Sequence, residues 1–398
     1  MDITIYPKKL SGTVAAIPSK SQAHRLLICA AFSNGPTELI CPAINRDMEA
    51  TADCLNALGA NIRRTAEGFL VEPAAEIPKA AVLDCCESGS TLRFMLPVAA
   101  ALGVDATFLL EGRLPSRPLS PLWEELERMG CRLSRPTENT LRCTGQLQSG
   151  RYRIDGGVSS QFITGLLFAC ALLPHGGSVE VLGKLESEPY VAMTCKALEA
   201  FGVGVCDYSV PPGSMLRSPG RLAVEGDWSN GAFFLGARAM GSHVCVTGLN
   251  EASAQGDRAA AALLPQLQKH CVVSAADIPD LVPIMAVVAA AHAGAVFTDI
   301  RRLRMKESDR VGSVIAMLKA LGGRAEATQD TLTVFPCRFT GGTVDSFADH
   351  RIAMAAAIAA TAAGGAVTVT GAQCVQKSYP GFWEDYKSLG GQYEQHIR

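Results

Sequence analysis

One phrase of apolar and polar positions returns six times along the chain: LNALGANI at 55–62, LERMGCRL at 126–133, LEAFGVGV at 198–205, LQKHCVVS at 267–274, LKALGGRA at 318–325 and YKSLGGQY at 386–393. Each reads as the closing turn of a helix, a small turn residue and the first positions of an alternating or β-branched strand. The turn residues Gly59, Gly130, Gly202, His270, Gly322 and Gly390 lie 71, 72, 68, 52 and 68 residues apart. Such spacing is longer than a solenoid repeat and suits compact subdomains, each predicted to hold about two helices and several short strands. Further helices are predicted where SGSTLRFMLPVAAALG and SSQFITGLLFACALL run apolar after a polar start. The pattern predicts an α/β chain of two similar halves, three subdomains each, dividing near RLAVEGDWSNGAFFL, where a strand gives way to a polar helix start.

Composition narrows the function. With 398 residues, 48% of them hydrophobic and 19% charged, the chain has material for two sizeable cores. A formal net charge of −2 provides no global field for nucleic acid or an anionic membrane, and 6% aromatic residues provide no stacking platform, so an anion site must be built locally. The fourteen cysteines are scattered, with no CxxC pairs at metal-site spacing. They read as small buried hydrophobes of a reducing compartment. MDITIYPKKL lacks the apolar stretch of a signal peptide, and the expected location is the cytoplasm.

Basic residues concentrate at helix starts. In IPSKSQAHRLL, Ser19 is a plausible N-cap, and Lys20, Ser21 and Arg25 gather where the helix dipole is already positive. Backbone N–H groups, a hydroxyl and two cations at one spot suit an oxygen-rich anion. ESGSTLRF repeats the theme with Ser88, Gly89, Ser90 and Arg93; GVSSQFITGLL offers Ser159, Ser160 and Gln161; LPSRPLSP holds Arg117 in a stiff turn. Any one of these reads equally as an ordinary capped helix or turn.

The second half supplies titratable groups. Asp280 precedes an apolar helix in ADIPDLVPIMAVVAAAHAG and reads either as a favourable N-terminal acid or as a base facing a cleft. RMKESDR packs Lys306, Glu307, Asp309 and Arg310 at one helix entry. FADHRIAM sets Asp349, His350 and Arg351 before an Ala-rich apolar helix, and KSYPGF adds Lys377. Together these are cations for a highly anionic small substrate, with Asp280 and Glu307 as candidate acid and base.

In this order and at these spacings, SKSQAHR, SGSTLR, SSQF, SEPY, VEGDWSNGAFFL, IPDLVP, RMKESDR, DHRIAM and KSYPGF resemble the 5-enolpyruvylshikimate-3-phosphate (EPSP) synthase family of enolpyruvyl transferases across essentially the whole chain. The resemblance implies an inverted α/β barrel fold of two domains, each of three βαβαββ units: 1–18 with 226–398, and 19–225. It implies helix N-termini facing a shared cleft, and transfer of the carboxyvinyl group of phosphoenolpyruvate to the 5-hydroxyl of shikimate 3-phosphate. Neither metal nor organic cofactor is implied; the protein is expected to be a monomer, with no nucleic-acid or membrane partner. Carried over motif by motif, Asp280, Glu307 and Lys20 are the proton-transfer candidates. Lys20, Gly89, Arg117, Gln161, Arg310, Arg351 and Lys377 are expected to hold phosphoenolpyruvate. Lys20, Ser21, Arg25, Ser159, Ser160, Gln161, Ser187, Tyr190, Asp280 and Lys306 are expected to hold shikimate 3-phosphate.

The chain departs from the family pattern at Glu87-Ser88-Gly89-Ser90, where Asn-Ala-Gly-Thr is frequent, at Arg302, where Asn is frequent, and at Glu188, where Lys is common. The first departure leaves the response to glyphosate open. Two rival readings share the fold. One is transfer to UDP-N-acetylglucosamine, disfavoured because the loop EGRLPSRPLS has no cysteine; the other is a non-catalytic binder, disfavoured by the intact acid, base and cation set.

Overall fold

The structure is a computed structural model and describes residues 1–396. The chain divides into two compact mixed α/β units: Pro18–Val224, and Met1–Ile17 together with the segment from Glu225 onward. Each has its own apolar core.

Four of the sheets share one plan, a parallel strand pair followed by two antiparallel strands. Within Pro18–Val224 these are Arg221–Ala223, Thr37–Ile40, Gly68–Glu72 and Asn61–Thr65, and then Ala80–Asp84, Asp105–Leu109, Thr140–Gly145 and Cys131–Thr137. In the other unit they are Cys271–Ser274, Ala295–Thr298, Thr331–Phe335 and Arg324–Ala327, and then Gly342–Asp345, Val367–Thr370, Asp2–Tyr6 and Gln392–His396. The last sheet explains why the N-terminal strand belongs with the C-terminal segment: Ile3 pairs with both Val369 and Gln395, so Asp2–Tyr6 is an inner strand.

The predicted turns form where the backbone needs them. Gly59, Gly130, Gly202, Gly322 and Gly390 each follow a helix with φ between +81° and +104°, a region in which a side chain is strained. Two of the six units depart from the shared sheet plan. The short 52-residue spacing after His270 has a structural counterpart: His243–Thr247 and Ser11–Ala15 form a two-stranded parallel sheet with no hairpin, and Cys271–Ser274 after His270 opens the next sheet instead. After Gly202 the local sheet gains just the two-residue strand Ser209–Val210, because Pro211 and Pro212 cannot extend a ladder. That sheet therefore has three strands, Gly150–Asp155, Gly177–Leu182 and Ser209–Val210.

All fourteen cysteines are free thiols, Cys206 and Cys245 being the exposed ones. Among the described residues, no helix is long and apolar enough to cross a membrane.

Candidate functional site

The polar helix starts of Pro18–Val224 are built as capped N-termini. Ser19 precedes the helix Lys20–Ala31 and accepts the Gln22 N–H at 3.4 Å; Ser88 precedes Gly89–Ala101 and accepts that of Thr91 at 3.3 Å; Ser159 precedes Ser160–Leu172 and accepts that of Gln161 at 3.3 Å. Each cap satisfies one orphan donor and leaves others for a ligand. Lys20, half-buried beside Ser21, is held by Asp47 in the first turn of Arg46–Ala57, with Nζ 2.8 Å from Oδ2.

Gly89, Arg93, Arg117 and Gln161 interlock. A Cβ on Gly89 would lie 2.4 Å from Arg117 Nη1 and 2.6 Å from Arg93 Nη1, so two guanidinium groups crowd this turn and a side chain there would have to displace them. Arg93 donates to Gln161 Oε1 at 3.1 Å and to the Pro118 carbonyl at 3.1 Å, while Gln161 Nε2 donates to Ser90 Oγ at 2.9 Å. Arg93 thus ties the Arg117 loop to two helix starts.

Arg25 is buried among hydroxyl and carbonyl acceptors. Its side chain is only 2% exposed and donates to Thr194 Oγ1 at 2.9 Å, the Tyr190 carbonyl at 2.7 Å, the Ser21 carbonyl at 2.6 Å and Thr164 Oγ1 at 3.3 Å. It brackets three helices, and burial lowers its pKa to about 10. The buried Ser187 sits in the left-handed region at φ 58°, ahead of the helix Glu188–Ala200, with the half-buried Tyr190 in its first turn.

In the other unit, one arginine organises three carboxylates. Arg310, 1% exposed, donates from Nη1 to Asp280 Oδ1 at 2.6 Å, from Nη2 to Glu307 Oε2 at 2.6 Å and from Nε to Asp349 Oδ2 at 2.8 Å. Asp349 caps the helix His350–Ala360 through the Arg351 N–H at 3.0 Å and also accepts the Ser308 hydroxyl at 3.0 Å. Phe347 and Ala348 lead into that cap at φ 52° and 53°, strain stored beside the site at non-glycine positions. Arg351 Nη2 donates to Asp280 Oδ2 at 3.0 Å, and Lys306 Nζ lies 3.8 Å from Asp280 Oδ1.

Asp280 is therefore no helix cap. It lies two residues ahead of Val282–Ala291, whose N-cap Leu281 makes no side-chain capping bond. Burial works against the charge of Asp280, but Arg351, Lys306 and Arg310 outweigh it and hold the carboxyl well below its usual range. Burial, Arg302 and Arg310 bring the Lys306 ammonium down to about 8 against the opposing pull of Asp280. Lys377 ends the short 3-10 stretch Ala372–Lys377, half-buried beside Ser378, whose hydroxyl donates to Asn230 Oδ1 at 3.4 Å.

Four functional neighbours were absent from the sequence-based site. Asp47 reads in sequence as a dipole-favoured acid of a first turn; Arg93 stands in SGSTLR but points inward to Gln161; Asp349 was visible in DHRIAM as a polar entry without a partner. Asp257 has no signal in AQGDRAA. Buried, it accepts the Ser229 hydroxyl in a short hydrogen bond, and burial together with the Asp280 charge pushes its carboxyl up to about 7.

Comparison with known proteins matches this geometry to a chemistry. The family profile described as EPSP synthase (3-phosphoshikimate 1-carboxyvinyltransferase) matches residues 5–386. A protein named 3-phosphoshikimate 1-carboxyvinyltransferase from Clostridium kluyveri is 36% identical over 420 residues, covering 99% of this chain and 98% of the relative. The protein of that name from Clostridioides difficile is 33% identical over 430 residues, with coverage of 99% and 98%. A solved EPSP synthase from Acinetobacter baumannii shares the fold with a TM-score of 0.80 at 22% identity, covering 99% of this chain and all of the other.

Proposed function

The chain belongs to the EPSP synthase family, and from that premise we propose how its residues divide the work. The reaction moves the carboxyvinyl group of phosphoenolpyruvate to the 5-hydroxyl of shikimate 3-phosphate and releases phosphate. The observation that carries the assignment is the Arg310 cluster, which sets two candidate proton-transfer carboxylates among cations suited to an anionic substrate.

Glu307 delivers a proton to the methylene carbon of phosphoenolpyruvate, and Asp280 takes the proton of the attacking 5-hydroxyl. The C–O bond formed gives a tetrahedral adduct. Loss of a methyl proton to a carboxylate then expels phosphate and restores the double bond, so acid and base exchange roles within one turnover. Lys20 assists as a further proton-transfer or charge-stabilising group. Lys20, Gly89, Arg117, Gln161, Arg310, Arg351 and Lys377 hold phosphoenolpyruvate. Lys20, Ser21, Arg25, Ser159, Ser160, Gln161, Ser187, Tyr190, Asp280 and Lys306 contact shikimate 3-phosphate, Arg25 also fixing Ser21 and Tyr190 through their carbonyls. Preorganised cations around developing and departing negative charge supply the main electrostatic stabilisation.

The proposed working form is a monomer in a reducing cytoplasm, a setting that fourteen free thiols suit. The function is tested by inorganic phosphate released from phosphoenolpyruvate on addition of shikimate 3-phosphate. Release that does not depend on the acceptor overturns it.

Lys306 gives the reaction a pH signature. With its pKa near 8, the ammonium is charged below that pH and neutral above it. The KM for shikimate 3-phosphate is expected to rise as pH climbs through about 8, and Lys306→Arg, always charged, is expected to flatten the rise. A wild-type KM constant from pH 7 to about 9 would contradict this.

A further inference from the structure

A line of buried hydrogen bonds crosses three helices of Pro18–Val224 without belonging to the substrate-binding set. His24 Nδ1 meets Thr51 Oγ1 at 2.7 Å, Thr51 Oγ1 meets Thr91 Oγ1 at 2.7 Å, and Thr91 Oγ1 donates to Ser88 Oγ at 2.7 Å. All four side chains are buried. The last link orders the rest: Thr91 spends its single proton on Ser88, so Thr51 donates to Thr91 and His24 donates from Nδ1 to Thr51. Burial lowers the His24 pKa to about 3, so the ring stays neutral with one N–H. His24 Nε2 is buried with no hydrogen-bond partner, and the ring stands edge-on to Phe94 at 6.2 Å between centroids.

Both ends of the line touch groups that matter. Ser88 caps the helix whose first residue, Gly89, fits under the Arg117 and Arg93 guanidinium groups, and the next residue, Ser90, accepts from Gln161. His24 lies one turn after Lys20, and the Thr91 hydroxyl is 3.5 Å from the carbonyl of Asp47, whose carboxylate holds Lys20. Neutral, directional and shielded from water, such a line fixes the relative depth of three helix starts more narrowly than apolar packing does.

We propose that His24, Thr51, Thr91 and Ser88 are positioning residues for the phosphoenolpyruvate end of the site, setting the Gly89 turn against Arg117 and Gln161. The line passes through Ser88, one of the positions at which this chain departs from its family's frequent pattern. The inference rests on the assignment of Gly89, Arg117 and Gln161 to phosphoenolpyruvate.

The test is steady-state kinetics of Thr51→Val, which keeps the shape and removes the hydroxyl, beside Thr51→Ser, which keeps the hydroxyl. Thr51→Val is expected to raise the KM for phosphoenolpyruvate about tenfold and that for shikimate 3-phosphate, which shares Lys20 and Gln161 but not Gly89 or Arg117, by no more than about threefold, with kcat within about threefold because Asp280 and Glu307 do not touch the line. Thr51→Ser is expected to restore the phosphoenolpyruvate KM, which a loss of packing alone would not predict. A Thr51→Val enzyme whose phosphoenolpyruvate KM stays within twofold, or whose two KM values rise by the same factor, overturns the proposal. Should Thr51→Val not fold, Thr91→Val, which removes the middle hydroxyl and leaves the Ser88 cap on the Thr91 N–H in place, is judged by the same KM split. Wild-type protein with no phosphate release dependent on shikimate 3-phosphate overturns the functional assignment instead, so the two failures are distinguishable.

Discussion

Asp280→Ala is expected to lower turnover by about a thousandfold or more, the usual scale for losing a positioned general base, while both substrates still bind. The reason lies in what surrounds the carboxylate. Arg310, Arg351 and Lys306 all face Asp280, so in the unliganded protein it is ionised but a weak base. An incoming phosphate or carboxylate that engages the same cations weakens their hold and raises the basicity of Asp280 when the hydroxyl arrives. Removing the side chain deletes the proton acceptor but leaves Arg310 bonded to Glu307 and Asp349, so the anion-binding frame survives. Phosphate release in a single turnover, with dissociation constants from calorimetry, separates the two effects. Normal turnover in Asp280→Ala, or loss of binding without loss of the chemical step, would remove Asp280 as the base.

The largest expected stability effect belongs to Arg310→Met. One buried guanidinium bonds to Asp280, Glu307 and Asp349 at once, and Asp349 has no exposed surface of its own. Breaking a buried charge network by removing one partner costs about 3–5 kcal/mol. That is a large share of the roughly 5–15 kcal/mol by which domains are stable. Arg310→Lys is expected to recover only part of the loss, because a single ammonium cannot reproduce three directed bonds. The sign of the pH dependence follows from the charges. Carboxylates left without Arg310 are relieved by protonation, so the deficit of Arg310→Met against wild type should shrink as pH falls towards about 4. Denaturant melts at neutral and acidic pH measure it. A variant within about 1 kcal/mol of wild type at neutral pH would show that the cluster is not a structural keystone.

The repeat architecture was readable because it rests on local chemistry. Five glycines that must take positive φ mark five helix ends, and the anomalous spacing after His270 already carried the information that one hairpin is missing. Pairing of Asp2–Tyr6 with strands more than 360 residues away was not readable from the pattern of positions; only the resemblance implied it. The site divides in the same way. Lys20, Arg310 and Arg351 were visible as cations at helix starts, a placement unusual within a helix's own terms, and Arg117 as a cation in a stiff turn. Their partners were not: Asp280 is paired with an arginine 71 residues away, Asp47 looks like an ordinary first-turn acid, and Asp257 stands alone in its segment. Arg25 shows the same limit. Its place one turn after Ser21 is visible in the sequence, but its acceptors Thr164, Thr194 and Tyr190 lie on distant helices.

The decisive experiment is phosphate release from phosphoenolpyruvate by the purified protein in paired reactions, one with shikimate 3-phosphate and one with UDP-N-acetylglucosamine. Release with shikimate 3-phosphate alone, and its loss in Asp280→Ala, is the predicted result. Release with the sugar nucleotide, or with neither acceptor, would contradict it.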